Sequence, residues 1–228
     1  MSRINSFLSV VACILLQACN EGEKRKTATL VDLPDQEHRV DILDQENKLV
    51  PSLNIVGHAS GDLNQDGLAD SVMVVQDTIA DTRPYRLKIF FSTSAKAYQE
   101  ILSLDSAIDA ERPEGKDGYA TGNAFNEVTI TAGVLHLSIQ LLRGSYEHLF
   151  RYQNNQFELI GFNITISDGN GSIHSKDYNL STGRLIITEE SYETDKLISR
   201  LDTIVRTRPL PNLQHFRPYT YHEGKVDF

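Results

Sequence analysis

A chain of 228 residues with a formal net charge of −9 and no Trp excludes several partners at once. Its acidity argues against nucleic acid and against an anionic bilayer surface, and without Trp there is no indole platform for sugar rings. The length suits a single domain of about 200 residues behind an N-terminal leader.

The leader comes first. Arg3 supplies a short positive region, and Phe7 to Leu16 form an apolar run too short to span a bilayer. The run ends in Leu16-Gln17-Ala18-Cys19. This resembles a bacterial lipobox, with an aliphatic residue three before the Cys and a small residue just before it. The resemblance implies cleavage after Ala18, a signal peptide of residues 1–18, and a diacylglycerol on the sulfur of Cys19. Asn20 follows, not Asp, so the rule for inner-membrane retention is not met. The expected location is the bacterial outer membrane, lipid-anchored, facing the periplasm or the surface. Cys13 leaves with the signal and Cys19 is acylated, so the mature chain has no thiol for a disulfide, a zinc site or a Cys nucleophile. Residues 19–32 are polar and charged and read as a tether. Residues 33–228 read as one β-rich, calcium-binding domain.

The domain is organised around Asp62-Leu63-Asn64-Gln65-Asp66-Gly67-Leu68-Ala69-Asp70. The pattern D-x-N-x-D-G-x-x-D has the spacing of a calcium loop. Calcium takes roughly 6–8 oxygen ligands, and a tight loop supplies them from alternate side chains and a backbone carbonyl. The ligand positions fall on Asp62, Asn64, Asp66, the carbonyl of Leu68, and Asp70, with Gly67 at the sharp turn. An EF-hand carries Glu at the twelfth position, between helices. Here that position is Met73, and the following run Ser71 to Gln76 is short and β-branched, as in a buried strand. The loop is therefore expected to join two strands. It resembles the loops of FG-GAP and VCBS-type repeats, in which a calcium ion pins a strand connection. Without an ion the clustered carboxylates repel one another, so Ca2+ is expected to stabilise the fold.

Beyond the loop the periodicity is almost all of strand type. Tyr85 to Phe91 alternates before turning apolar. Val128 to Ala132 and Val134 to Leu141 flank Gly133, a hairpin or bulge signal. Tyr146 to Tyr152 and Phe157 to Ile166 are parted by Asn154-Asn155, another hairpin signal. Asp168-Gly169-Asn170-Gly171 is a turn. Leu185 to Thr188 and Leu197 to Val205 close the series. The weak helical signal at Ala95 to Ser103 allows one turn or a short helix. Pro209, Pro211 and Pro218 make the tail an extended strap. The fold class is all-β, an antiparallel meander of degenerate β-propeller type, with a β-sandwich as the alternative. Five small four-stranded blades of about 40 residues each would use the available length.

The second half carries a further resemblance. Gly122-Asn123-Ala124-Phe125, Phe150-Arg151-Tyr152-Gln153-Asn154, Phe157-Glu158-Leu159-Ile160-Gly161 and Asn179-Leu180-Ser181-Thr182-Gly183 together resemble uncharacterised bacterial envelope proteins with one D-x-N-x-D-G loop upstream. Where that pattern has Gly-Asp-Pro-Phe this chain has Gly-Asn-Ala-Phe and lacks the carboxylate. More distantly the set is similar to calcium-bearing degenerate β-propellers, some of which look like lysozyme inhibitors. Arg143-Gly144-Ser145 follows an apolar strand, and Arg143 and Ser145 are the candidate partner contacts.

Catalytic patterns are missing from the sequence. None of the seven His lies in an H-E-x-x-H motif, and no G-x-S-x-G or phosphate loop occurs. His136 and His148 fall on neighbouring predicted strands. Glu189 and Glu190 are adjacent on a strand, so they point to opposite faces unless a bulge intervenes. The long segment from Asp105 to Glu127 is acidic and suits a basic partner. No catalytic residue is assigned. The expectation is a non-enzymatic, lipid-anchored, calcium-binding envelope module that binds or inhibits a protein partner, such as a basic cell-wall hydrolase. The alternatives are a calcium-dependent hydrolase of envelope glycan or peptide, and a purely structural lipoprotein.

Overall fold

A computed structural model describes residues 27–28, 53–94, 97–118, 124–219, 222–223 and 226–228. The expected signal, Cys19, most of the expected tether and Gly122-Asn123 lie outside the described residues. Among those residues no helix is long and apolar enough to cross a membrane.

The chain is all-β and its strands run as antiparallel meanders. The first sheet holds β2 (Leu53–Gly61), β3 (Asp70–Asp77), β4 (Tyr85–Ser92) and β5 (Tyr98–Leu104), with the two-residue β1 (Thr27–Ala28) paired to the outer edge of β5. The second sheet runs in chain order through β6 (Ala124–Thr131), β7 (Val134–Leu141), β8 (Gly144–Gln153), β9 (Gln156–Ser167), β10 (Ser172–Asn179), β11 (Arg184–Ser191) and β12 (Leu197–Ile204). A 3-10 turn at Leu213–His215 and the short pair β13 (His222–Glu223) and β14 (Val226–Asp227) follow. The meander is as expected, but the strands group as one short sheet and one seven-stranded sheet instead of blades of four.

β3 shows why the apolar run was decisive. Val72, Met73, Val74 and Val75 are all buried, so both faces of this strand are covered. A continuous apolar run, not an alternating one, is what a strand buried on both faces needs. The hairpin signals also hold. Ala132 and Gly133 have φ of 51° and 74°, and Asn154 and Asn155 have 53° and 60°. Positive φ at both central residues gives the turn twist that matches the flanking strands.

Ala95 to Ser103 is not helical where it is described. Tyr98–Leu104 is a strand, with Leu102 buried opposite Ile89 and Lys88 Nζ 3.1 Å from Glu100 Oε2 across the ladder. Cross-strand pairing and burial override a weak local preference. β10 has no counterpart among the expected strands. Of its residues only Tyr178 is fully buried, and its polar face is carried by full pairing to β9 and β11.

The sheets meet where β2 lies against β6, and one contiguous core runs between them. Phe150, Phe162 and Tyr178 fill the second sheet's side of that core. The tail behaves as a strap across it. Pro211 accepts the Leu159 N–H at 2.8 Å, and Leu213, Phe216 and Phe228 are fully buried.

Candidate functional site

The loop between β2 and β3 joins two strands, with Gly61 and Asp70 paired at its neck. Its side chains fold onto its own backbone. Asp62 accepts the N–H groups of Asp66 at 3.1 Å and Gly67 at 2.9 Å. Asn64 Oδ1 accepts the Asp66 N–H at 3.0 Å, and Asp66 Oδ1 accepts the Leu68 N–H at 2.8 Å. These bonds hold the oxygens of Asp62, Asn64 and Asp66 on the loop's own N–H groups, and Asn64 Nδ2 donates to Asp66 Oδ2 at 3.0 Å. Gln65 and Gly67 carry φ of 63° and 85°. At Gly67 the left-handed backbone is the reason for glycine, since it has no Cβ to clash. The β6–β7 turn rests on the same loop: a Cβ on Gly133 would stand 3.3 Å from the Asp62 carbonyl.

Asp70 differs from the other three. It is fully buried, and both its oxygens accept backbone N–H groups. Oδ2 takes Leu63 at 2.8 Å, and Oδ1 reaches across to Ser92, at the end of β4, at 2.9 Å. Burial pushes its carboxyl above the usual carboxylate range, the N–H groups of Ser92, Leu63 and Asn64 oppose that, and Asp66 adds to it by like-charge repulsion. The bond to Ser92 ties the loop to β4, 22 positions further along the chain.

Among the described residues no three His, Cys, Asp or Glu side chains form a ready metal cluster. The donors at the loop are nevertheless all hard oxygens: three carboxylates, the Asn64 amide and the Leu68 carbonyl. That chemistry fits calcium and does not fit a soft metal. Each carboxylate oxygen that accepts one N–H retains a second lone pair. Asp62, Asn64, Asp66, Asp70 and the Leu68 carbonyl are the groups that would hold a calcium ion.

Arg143 is exposed in the β7–β8 turn, but it lies over the neighbouring β9–β10 turn, and its Nη1 donates to the Asp168 carbonyl at 3.4 Å. Ser145 is half-buried on β8 opposite Gln140 and Thr165, where it borders a shallow recess of about 260 Å³ with Glu147 and Asn163. His136 and His148 do not meet. His136 is paired with Leu149, which places the two rings on opposite faces. His136 Nδ1 is 3.0 Å from Glu147 Oε1. His148 is buried, stacked on Phe162 at 5.1 Å between centroids, and its Nε2 has no hydrogen-bond partner. Glu189 and Glu190 stay consecutive on β11, because the extra residue at that register shift is Ile198 of β12. In the acidic segment, Glu111 is engaged within the chain: it accepts from Arg83 at 2.8 Å and Gln76 at 2.7 Å.

Compared with protein families, with curated proteins and with solved structures, the chain finds no match.

Proposed function

We propose that this chain is a lipid-anchored envelope protein whose β-domain is stapled by one calcium ion and works as a binding module, with a basic cell-wall hydrolase as the partner class. One observation carries the metal reading. Asp70 is a fully buried carboxylate held by backbone N–H groups, at the foot of a loop whose Asp62, Asn64 and Asp66 oxygens are held on its own N–H groups. A buried anion with no cationic side chain bonded to it is costly, and a divalent cation in the loop offsets that cost. The reading also draws on the lipobox-like Leu16 to Cys19 and on the net charge of −9, which would steer the domain toward a cationic enzyme.

A calcium ion bound here would neutralise the cluster of Asp62, Asp66 and Asp70. The chain's own residues do the rest: Asp70 couples the loop to β4 through Ser92, and Asp62 couples it to the β6–β7 turn by contact with Gly133. Binding would thus brace both sheets from one point.

The test is a thermal melt of the full chain in excess calcium and in excess chelator, beside Asp66→Ala. The expected result is a midpoint raised by calcium in the parent and unmoved in the variant. Equal responses would remove the loop assignment. The partner class is tested separately, by assaying lysozyme activity against a titration of the calcium-loaded chain. Undiminished activity at saturation would remove the inhibitor reading while leaving the metal reading in place.

A further inference from the structure

β12 forms the outer edge of the seven-stranded sheet, and among the described residues no strand pairs with its far side. It is also apolar and open. Leu197, Ile198, Leu201 and Ile204 are 54%, 56%, 39% and 58% exposed. Natural edge strands are usually blunted by Lys, Pro or brevity, because a free edge offers a row of unpaired backbone groups. This one spans eight residues without Lys or Pro, and its only interruptions are the charges of Arg200 and Asp202 and a bulge at Ile198 near its start.

The backbone phase of the edge is fixed by its inner partner. Val205 donates its N–H to Gly183. In an antiparallel ladder the bonded residues alternate, so Thr203 and Leu201 turn their backbone groups toward β11. Arg200, Asp202 and Ile204 turn theirs outward. Any strand added here must bond to those three.

The sequence of the edge is complementary to itself. Read antiparallel about Leu201, the strand places Leu201 against Leu201 of a second copy. Arg200 then meets the second copy's Asp202, Ser199 meets its Thr203, and Ile198 lies alongside its Ile204. This register also puts the outward-bonding residues Arg200 and Asp202 opposite one another, as hydrogen-bonded pairs require. Sliding the copy by two residues keeps the bonding phase but sets Asp202 against Asp202 or Arg200 against Arg200. Like charges directly opposite are destabilising. Charge therefore selects one register.

We infer that β12 is a homodimer interface, at which two copies pair edge to edge about a two-fold axis through Leu201 and join their sheets into one. The arrangement is isologous and closes on itself, and its backbone bonds are those of strand addition. Within one chain Asp202 is already 2.7 Å from Arg184 and 3.6 Å from Arg200, so the dimer would extend an existing ion-pair row across the axis.

The full chain in mild detergent, sedimented over a concentration series, is expected to show a monomer–dimer equilibrium. Arg200→Asp and Asp202→Arg are each expected to weaken the dimer about tenfold or more, since each sets two like-charge contacts across the axis. Mixing the two variants pairs opposite charges at both contacts and is expected to restore the parent affinity. A disulfide supplies the second readout. Leu201→Cys faces its own copy in a non-bonded pair, where side chains approach closely, and is expected to cross-link on oxidation. Arg200→Cys does not face itself and is expected to cross-link far less. A monomer at every concentration overturns the inference, as it would if residues 29–52 of the same chain covered this edge. So does a dimer indifferent to both charge reversals.

Discussion

Gly61 on β2 lies directly against Ile130 on β6, so closely that a Cβ on Gly61 would stand 2.6 Å from Ile130 Cγ2 and 3.0 Å from its Cβ. This is one of the contacts through which the two sheets meet, one residue before the acidic loop begins. A methyl group there cannot be absorbed by swinging a flexible side-chain end, because Ile130 is branched at Cβ and stiff. Gly61→Ala is expected to cost about 1–3 kcal/mol by overpacking. Urea unfolding would measure it, and Ile130→Ala in the same chain should recover part of the loss. Simple additivity of the two would show that the contact does not set the sheet spacing.

The C-terminal strap gives a second expectation. The Tyr178 hydroxyl is bonded to the Val205 carbonyl at 3.0 Å and to the Thr207 hydroxyl at 2.8 Å, with the ring fully buried. These bonds hold the chain where it leaves β12 and turns back over the core. Tyr178→Phe removes them and leaves Thr207, itself buried, with one partner fewer. A loss of about 1–3 kcal/mol is expected from an unsatisfied buried group. Adding Thr207→Val should cost little more, which a double-mutant cycle by urea unfolding would show as coupling.

How far the sequence could be read depends on how local each determinant is. The turns at Gly133 and at Asn154-Asn155 were legible because Gly and Asn tolerate positive φ and stood between two apolar runs, whereas the positive φ of Ala132 left no sign in its residue type. β3 was legible because Val72 to Val75 need cover on both faces. β5 and β10 were not. Tyr98 to Leu104 takes its conformation from Ile89 and Lys88 on the next strand, and Ser172 to Asn179 from two neighbours at once. Nor does a meander announce where one sheet stops: the break falls between β5 and β6, in a segment whose buried Ala107 and Ile108 look unremarkable in sequence. At the loop the spacing marked Asp62, Asn64, Asp66 and Asp70, but the bond from Ser92 to Asp70 spans 22 positions and leaves no local trace. Arg143 is placed by its contact with the β9–β10 turn, another long-range effect.

The proposed lipid anchor, which rests on Leu16 to Cys19 alone, has a direct assay. Cys19→Ser removes the only thiol that would remain if the chain were cut after Ala18. The variant is expected to take up no labelled fatty acid and to leave the membrane fraction. Unchanged labelling would refute the anchor.

His148 supplies the last expectation, and its sign follows from burial. The ring is packed among Tyr146, Phe150, Phe162 and Phe216, and burial lowers its pKa from 6.5 to about 3. The folded state therefore holds it neutral while the unfolded state binds a proton below about 6.5. Stability contributed by this difference is present above that pH and is lost as pH falls toward 3, at up to about 1.4 kcal/mol per pH unit. His148→Phe keeps an aromatic ring and removes both the titration and the unpartnered Nε2. Its packing cost is the same at every pH, so it enters only as a constant offset. Unfolding free energies of parent and variant should run parallel above pH 6.5 and converge or cross below it, with the variant gaining as acid is added. Parallel curves throughout would mean that His148 takes up its proton in the folded state as readily as in the unfolded one, with an acceptor or water at its ring.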